Sequence, residues 1–485
     1  MIDVPGPGGY VCTPPFSSWR GVAEKQRREP TGAGGLREDW RAEFLRLAAA
    51  HTAPLGLPVP ALDATTPVVL SGHQPYFYHP GVMYKYLLLA RVAREGFLAV
   101  NIGVDTEACE GFHAKIPSFD GKYRKHTRHL ATSSVKRFYA DAVLDKAEVR
   151  SFVEESLRDL GSIPGGAFEH GKDFLRRELF SDLPQSAADA MTVLRRRYAV
   201  RWPGKVLEVP LSQACRTKGF FSFAFGLLKD AGRFAEIFNA AVRRYRVEHK
   251  LRSSANPFPD LAAGVEGVET LFWLVREGRR DTLTIKPGVN PGVAGFSEVG
   301  GPESLESLFC EKGWRLWPKA VALSVMNRVF LGDIFVHGLG GAKYDRITDE
   351  VIRGFYGVEP PPFATASLTL SVEGLEDPSD RIMELRQELR EMDFHPESYL
   401  ADPPPDLLAE KQNLTREIKA PGANKKEMGR RLGEINGALK SLLEPLKGEL
   451  LAKTAALETE LNRYEVLADR ELPYFLYPPE KFDQF

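Results

Sequence analysis

The stretch from Val68 to Val104 leaves few folds open to this chain. A short apolar run, Val68-Val69-Leu70, meets Ser71-Gly72. His73 and His79 follow, then Pro80-Gly81, then apolar residues at helical spacing: Val82, Leu87, Leu89, Ala90 and Ala93. That pattern breaks near Gly96, and a second apolar run, Phe97–Val104, ends at Asp105. Strand, glycine turn, polar cluster, helix and strand make a β-α-β unit of about minimal length. Such a unit predicts parallel pairing with a right-handed crossover. Domains of this kind place their ligands at the carboxyl ends of the strands.

The predicted fold class is therefore α/β, with a parallel sheet, a mainly helical stretch inserted in it and a C-terminal coiled coil or helical hairpin. Residues 1–65 read as an N-terminal arm, irregular and rich in Pro and Gly to about residue 35, followed by an amphipathic helix over Leu36–His51. The core spans 66–375, with the helical insertion at about 145–260 broken at Pro164-Gly165-Gly166 and Pro203-Gly204. Strands are expected at Lys205–Val209, at 282–286 and in 315–325. The apolar run Phe330–Val336 reads as another strand, leading through His337-Gly338-Leu339-Gly340-Gly341 to a helix over Asp345–Tyr356 that Gly357 closes.

Residues 376–470 read as a coiled coil or helical hairpin. Leu432, Ile435, Leu439, Leu442, Leu446, Leu450, Leu457, Leu461 and Tyr464 recur mostly three or four residues apart. The turn is expected at Pro421–Asn424 and a bend at Pro445. A helix over Lys425–Asp469 would be about 65 Å long. The aromatic tail, 471–485, is expected to dock on the core.

Bulk properties exclude some partners. A 485-residue chain with 43% hydrophobic residues can build a large core, and a net charge of −1 calls for neither nucleic acid nor an anionic membrane. The basic runs Arg195–Arg197 and Arg243–Arg246 read as solvated helix faces. Cys12, Cys109, Cys215 and Cys310 are scattered, without zinc-knuckle or CxxC spacing, so reduced thiols and a cytoplasmic location are expected. The opening residues lack the basic start and apolar stretch of a signal peptide, and no apolar run reaches the ~20 residues of a membrane span.

Two clusters carry the chemistry. In the first, His73 and His79 stand where imidazoles can meet an anion, with Gly72 and Gln74 beside them and Lys85 one and a half turns into the helix. The alternative is that both histidines are turn residues bonded to backbone. No metal is expected, because the two histidines make a poor zinc pair on their own. Asp105 and Glu107 follow the second strand, where a carboxylate can orient or deprotonate an amine, or simply cap a helix. Asn101 is a polar residue inside an apolar strand. In the second cluster, His337, Gly338, Gly340, Gly341, Lys343, Tyr344 and Asp345 form a glycine turn before a helix, suited to a ligand or to tight packing. Asp333, inside the preceding run, needs a partner, and Arg328 and Lys343 are candidates.

With these residues in view, the chain resembles the bacillithiol-biosynthesis cysteine-adding enzymes (BshC, cysteine-ligase-like). Ser71-Gly72-His73-Gln74-Pro75 through Gly81 and Tyr84-Lys85 is similar to that family's Gly-Gln-Gln-Pro…Gly-Pro…Tyr-Lys segment. Val336–Tyr344 with Pro361-Pro362-Phe363 and Ala366–Leu370 resembles its glycine turn and following strand, and the leucine stripe lies where the family has a coiled coil. This chain has His73 for the family's first Gln, Asp105-Thr106-Glu107 for a Glu-Asp-His-Asp type cluster, and Thr365 for an Arg. The opening HQP also resembles the WbqC-like sugar-pathway family over a short stretch.

The resemblance implies a Rossmann-like core with a helical insertion and a C-terminal α-helical coiled coil, a ligase that joins an amine-bearing sugar or small molecule to an amino acid, and a homodimer formed through the coiled coil. His73, His79 and Asp105 would be catalytic. The cofactor stays open: amide formation calls for ATP, another nucleotide or an activated acyl donor. The alternatives are a non-enzymatic dimeric scaffold with a vestigial nucleotide-binding core, and a nucleotidyltransferase of sugar metabolism.

Overall fold

The computed structural model describes residues 3–29, 34–109, 111–131, 137–264, 267–286, 299–372 and 374–485. The chain divides into two compact units, one of residues 1–116, 126–370 and 470–485, the other of 117–125 and 371–469.

The first unit is organised by a six-stranded sheet. Its strands in chain order are β1 (Tyr10–Thr13), β2 (Val68–His73), β3 (Leu98–Gly103), β4 (Leu207–Pro210), β5 (Ile334–His337) and β6 (Phe363–Leu368), and their spatial order is β1-β6-β5-β2-β3-β4. All neighbours are parallel except the edge pair β1–β6. Val68, Val69 and Leu70 are fully buried because helices cover both faces of a parallel sheet. Each such side chain adds about 1.5–3 kcal/mol.

On one face Val68, Leu70, Val100 and Ile102 join Trp40, Phe44 and Ala48 of the helix Gly35–Thr52 in a single core. On the other, the helix Pro80–Arg94 lies on β2, β3 and β6. It is apolar nearly all round and buried accordingly. Gly81 permits its close approach, since a Cβ there would stand 2.8 Å from the Leu368 carbonyl.

Several details depart from the sequence expectation. The N-terminal arm is not irregular throughout: it supplies β1 and the helix Trp19–Arg28. Residues 315–325 split into a strand, Arg315–Pro318, and a helix, Ala320–Val325. The run before His337 is not one strand. Met326–Leu331 is a π-helical turn, and β5 starts only at Ile334, after Gly332. Its apolar character reflects burial on all sides, which looks the same in a short helix as in a strand. The strand Gly267–Arg276, flanked by Arg279–Ile285 and Arg315–Pro318, and the hairpin strands Phe112–Phe119 and Tyr123–Ala131 were not expected.

Buried ion pairs also differ from expectation. Asp333 is bound by Arg37 and Arg41 from the helix Gly35–Thr52 and by the Val68 amide, not by Arg328 or Lys343. Arg195 is not solvated: it is 5% exposed and donates to Glu208 at 2.6 Å. The aromatic tail packs in the first unit, with Phe475 against Phe77 and the Tyr474 amide bonded to the Tyr78 carbonyl.

In the second unit the helices Ser379–Phe394 and Pro405–Glu417 pack on the 43-residue helix Lys425–Leu467, which contains Pro445. Leu443 and Leu450 meet Met392, with Leu385, Leu389 and Tyr399 around them. The stripe is thus used within the chain. Leu443 takes the inward position expected of Leu442, which is 53% exposed. No described helix is long and apolar enough to cross a membrane.

Candidate functional site

The strand order contains a reversal. From β2 the chain moves outward through β3 to β4, then returns to place β5 and β6 on the opposite side of β2. Loops leaving β2 and β5 therefore diverge, and a crevice opens between their carboxyl ends, where open α/β sheets bind ligands. A cavity of about 280 Å³ lies there. Gly72, His73 and Gln74 line it from β2, Thr106 and Glu107 from the end of β3, and His337, Gly341, Tyr344 and Asp345 from β5 and its helix. The two motifs singled out in the sequence thus form opposite walls of one cavity.

On the β2 wall, His73 Nδ1 lies 3.2 Å from the Gln74 carbonyl. A carbonyl only accepts, so Nδ1 carries the proton and Nε2 keeps its lone pair. Burial, reinforced by the nearby Lys85 charge, pushes the imidazole down to about 3. The ring is neutral at physiological pH and offers an acceptor rather than positive charge.

Lys85 does not reach the cavity wall. Its Nζ donates to the Gly72 carbonyl at 2.9 Å, and burial lowers its pKa to about 8. His79 is the N-cap of Pro80–Arg94, its Nδ1 accepting the Gly81 amide at 3.1 Å. Both residues hold the β2 turn in shape.

On the β5 wall, the helix Leu339–Tyr356 begins directly after the N-cap Gly338, earlier than the sequence suggested. Gly340 and Gly341 are in its first turn. Gly341 is required where it stands, because a Cβ would lie 2.7 Å from His337 Nδ1. His337 Nε2 is 2.9 Å from Asp345 Oδ2, and Arg328 Nη1 is 2.6 Å from the same oxygen. Arg328 also binds Asp349 at 2.6 Å and the Pro361 carbonyl at 3.0 Å. Burial acts to raise the Asp345 pKa, but Arg328, His337 and a Ser324 hydrogen bond outweigh it and hold the carboxyl well below the usual range. An ionised Asp345 fixes the proton of His337 on Nε2, leaving Nδ1 as the basic atom. Lys343 points elsewhere, into a smaller hollow with His249 and Arg346.

Asp105 lies behind the wall rather than in it. Its two oxygens accept from the Ser212 amide at 2.8 Å and the Ser212 hydroxyl at 2.5 Å. Burial raises its pKa to about 6 against the pull of those bonds. The clamp ties the end of β3 to the helix Leu211–Ala214, and so places Thr106, Glu107 and Leu211 on the cavity. Glu107 is paired with Arg280 at 3.0 Å. Asn101 bridges β3 to β4 through Glu208 at 2.9 Å, away from the cavity. Gly338 and Gly340 are likewise outside the lining.

Sequence reasoning missed Ser324, Asn327 and Thr348, which also face the cavity. Ser324 and Asn327 sit in a largely apolar stretch and Thr348 in the middle of an amphipathic helix, where the local pattern carries no mark of a site. No protein-family model and no curated protein matches the chain.

Proposed function

We propose that this chain is a Rossmann-like α/β enzyme that joins an amine-bearing small molecule to an amino acid, in the manner of a cysteine ligase. One observation carries the reading: His73 and His337, distant in sequence, face the same cavity at the reversal of the strand order. The parallel strands, renumbered from β2, run in the order 3-2-1-4-5, which matches five of the six positions of the dinucleotide-binding order, with antiparallel β1 at the sixth.

The residues divide the work. His337, oriented by Asp345, is the base. As the amine nitrogen attacks the acyl carbon, the carbon–nitrogen bond forms, the amine proton passes to His337 Nδ1, and the leaving group departs with its bonding pair. His73, neutral and buried, accepts a hydrogen bond that orients the substrate. An amine does not displace hydroxide from a free carboxylate, so the carboxylate is activated first, by ATP or another nucleotide at this site or before the acyl donor binds. This assignment moves the catalytic role from His73, His79 and Asp105 to the His337–Asp345 pair. His79 and Asp105 become positioning residues.

The test is amide formation from cysteine and glucosaminyl acceptors with ATP, followed by mass spectrometry, for the unaltered chain, His337→Ala and His73→Ala. Product from the unaltered chain that falls about 10²–10⁴-fold in His337→Ala supports the reading. Equal product from all three proteins overturns it.

A further inference from the structure

A second hollow, of about 130 Å³, lies on the other side of the helix Leu339–Tyr356 from the cavity. Gly341, Tyr344, Asp345 and Thr348 face the cavity, while Leu339, Ala342, Lys343 and Arg346 line the hollow. Spacings of three and four residues put each set on one side of the helix. Tyr245, in the helix Ala231–Glu248, and His249, just past its end, form a second wall. Phe363 and Thr365, two apart on β6 and so on one face of it, form the third.

The polar groups here are uncommitted. Tyr245 is 7% exposed and Thr365 2%. Neither hydroxyl has a hydrogen-bond partner among the described residues, yet neither is sealed from solvent, so both open on the hollow. The His249 ring stacks on Tyr245 with centroids 4.0 Å apart. Its Nδ1 lies 3.0 Å from the Tyr245 carbonyl, which leaves Nε2 for a ligand. Burial, with Tyr344, raises the Tyr245 hydroxyl above its ordinary value, and the charge of Arg346 works against that, as a neighbouring cation does. Lys343 has no ion-pair partner among the described residues. Arg346 meets Glu248 at 3.7 Å with both side chains 64% exposed, a pair of little strength. No carboxylate is among the residues of the lining. A buried donor is kept where something accepts from it.

Donors from two helices and a strand thus surround a space well below the ~300 Å³ at which drug-sized ligand sites begin. A planar carboxylate offers its oxygens along one edge. A tetrahedral oxyanion offers them in every direction, and ammonium, guanidinium and hydroxyl groups are its partners. We propose that the hollow binds the phosphoryl group of inorganic phosphate or of a phosphate monoester, held by Lys343, Arg346, Tyr245 and Thr365 with His249 beside them. The site goes beyond the amide chemistry proposed for the cavity and does not depend on it.

The test is calorimetric titration of the full chain with inorganic phosphate, methyl phosphate and acetate at one ionic strength. One saturable site is expected for a phosphate, with acetate about tenfold weaker or more. The tighter of the two phosphates names the source, free ion or phosphorylated metabolite. Lys343→Ala and Arg346→Ala are each expected to weaken binding about ten- to a hundredfold, and the similarly sized Thr365→Val about fivefold. Melting temperature checks folding, and the exposed Lys343 and Arg346 keep the test decisive if Thr365→Val does not fold. His73→Ala, in the cavity, should leave phosphate binding unchanged. No saturable binding, acetate binding as tight as phosphate, or an affinity that neither Lys343→Ala nor Arg346→Ala reduces overturns the proposal. Loss of phosphate binding in His73→Ala alone would put the ion in the cavity and overturn it too. Amide formation is measured separately, so either result can fail while the other stands.

Discussion

The imidazole of His337 meets the carboxylate of Asp345 at 2.9 Å across the first turns of the helix that His337 immediately precedes. The contact joins a strand end to a helix, and Arg328 completes it from the π-helical turn. Three elements therefore converge on one carboxylate oxygen.

That convergence separates two variants. Asp345→Asn weakens the anchor of buried Arg328 and is expected to destabilise the fold by about 3–5 kcal/mol, as when one partner of a buried pair is removed. His337→Gln leaves the Arg328–Asp345 pair intact and should cost less while still removing the base. Urea denaturation of both proteins measures the contrast. Equal losses would mean that His337 is as structural as Asp345.

His73 makes a pH prediction of definite sign. Its folded pKa of about 3 lies below the ordinary 6.5, so below pH 6.5 the unfolded chain binds a proton that the folded chain refuses. The associated stability is complete above pH 6.5 and is lost as pH falls toward 3. Relative to His73→Gln, the unaltered chain should lose on the order of 1–2 kcal/mol between pH 7 and pH 5. Denaturation curves at several pH values give the slope, and parallel curves would contradict a buried neutral ring.

The Asp333 cluster predicts a fold defect remote from the cavity. Asp333→Ala strips the shared partner from Arg37 and Arg41 and the acceptor from the Val68 amide. A loss of about 3–5 kcal/mol is expected. Arg37→Met with Asp333→Leu should recover part of it by exchanging buried charge for apolar contact.

The long C-terminal helix gives a test of whether its stripe serves the chain or a second copy. Leu439 and Leu450 are buried within a single chain. Leu450→Ala is expected to cost about 2–5 kcal/mol, independent of protein concentration. A midpoint that falls on dilution would instead reveal a subunit interface.

Much of this was legible in local sequence. The β2–helix–β3 unit was readable because apolar periodicity and glycine punctuation agree there, and the turn after β5 because glycines cluster between an apolar run and a helix. The convergence of the two motifs was not readable: it depends on the return of the chain from β4 to β5, and no local pattern records strand order. Asn327 was invisible for a related reason. It lies, next to Arg328, between the stretches 315–325 and Phe330–Val336 that read as strands, and nothing local marks it. The partners of Asp333 lie in a helix near the N-terminus, a pairing that only the tertiary fold creates.

The pairing of Val69 with Ile334 has a consequence in time. The two strands that frame the cavity come from opposite halves of the chain, and β5 with its helix is among the last parts of the first unit to leave the ribosome. A nascent chain that ends before residue 334 has one wall of the site and nothing opposite it. Ligand binding would therefore report that synthesis has passed the helix Leu339–Tyr356 and that this long-range pairing has closed.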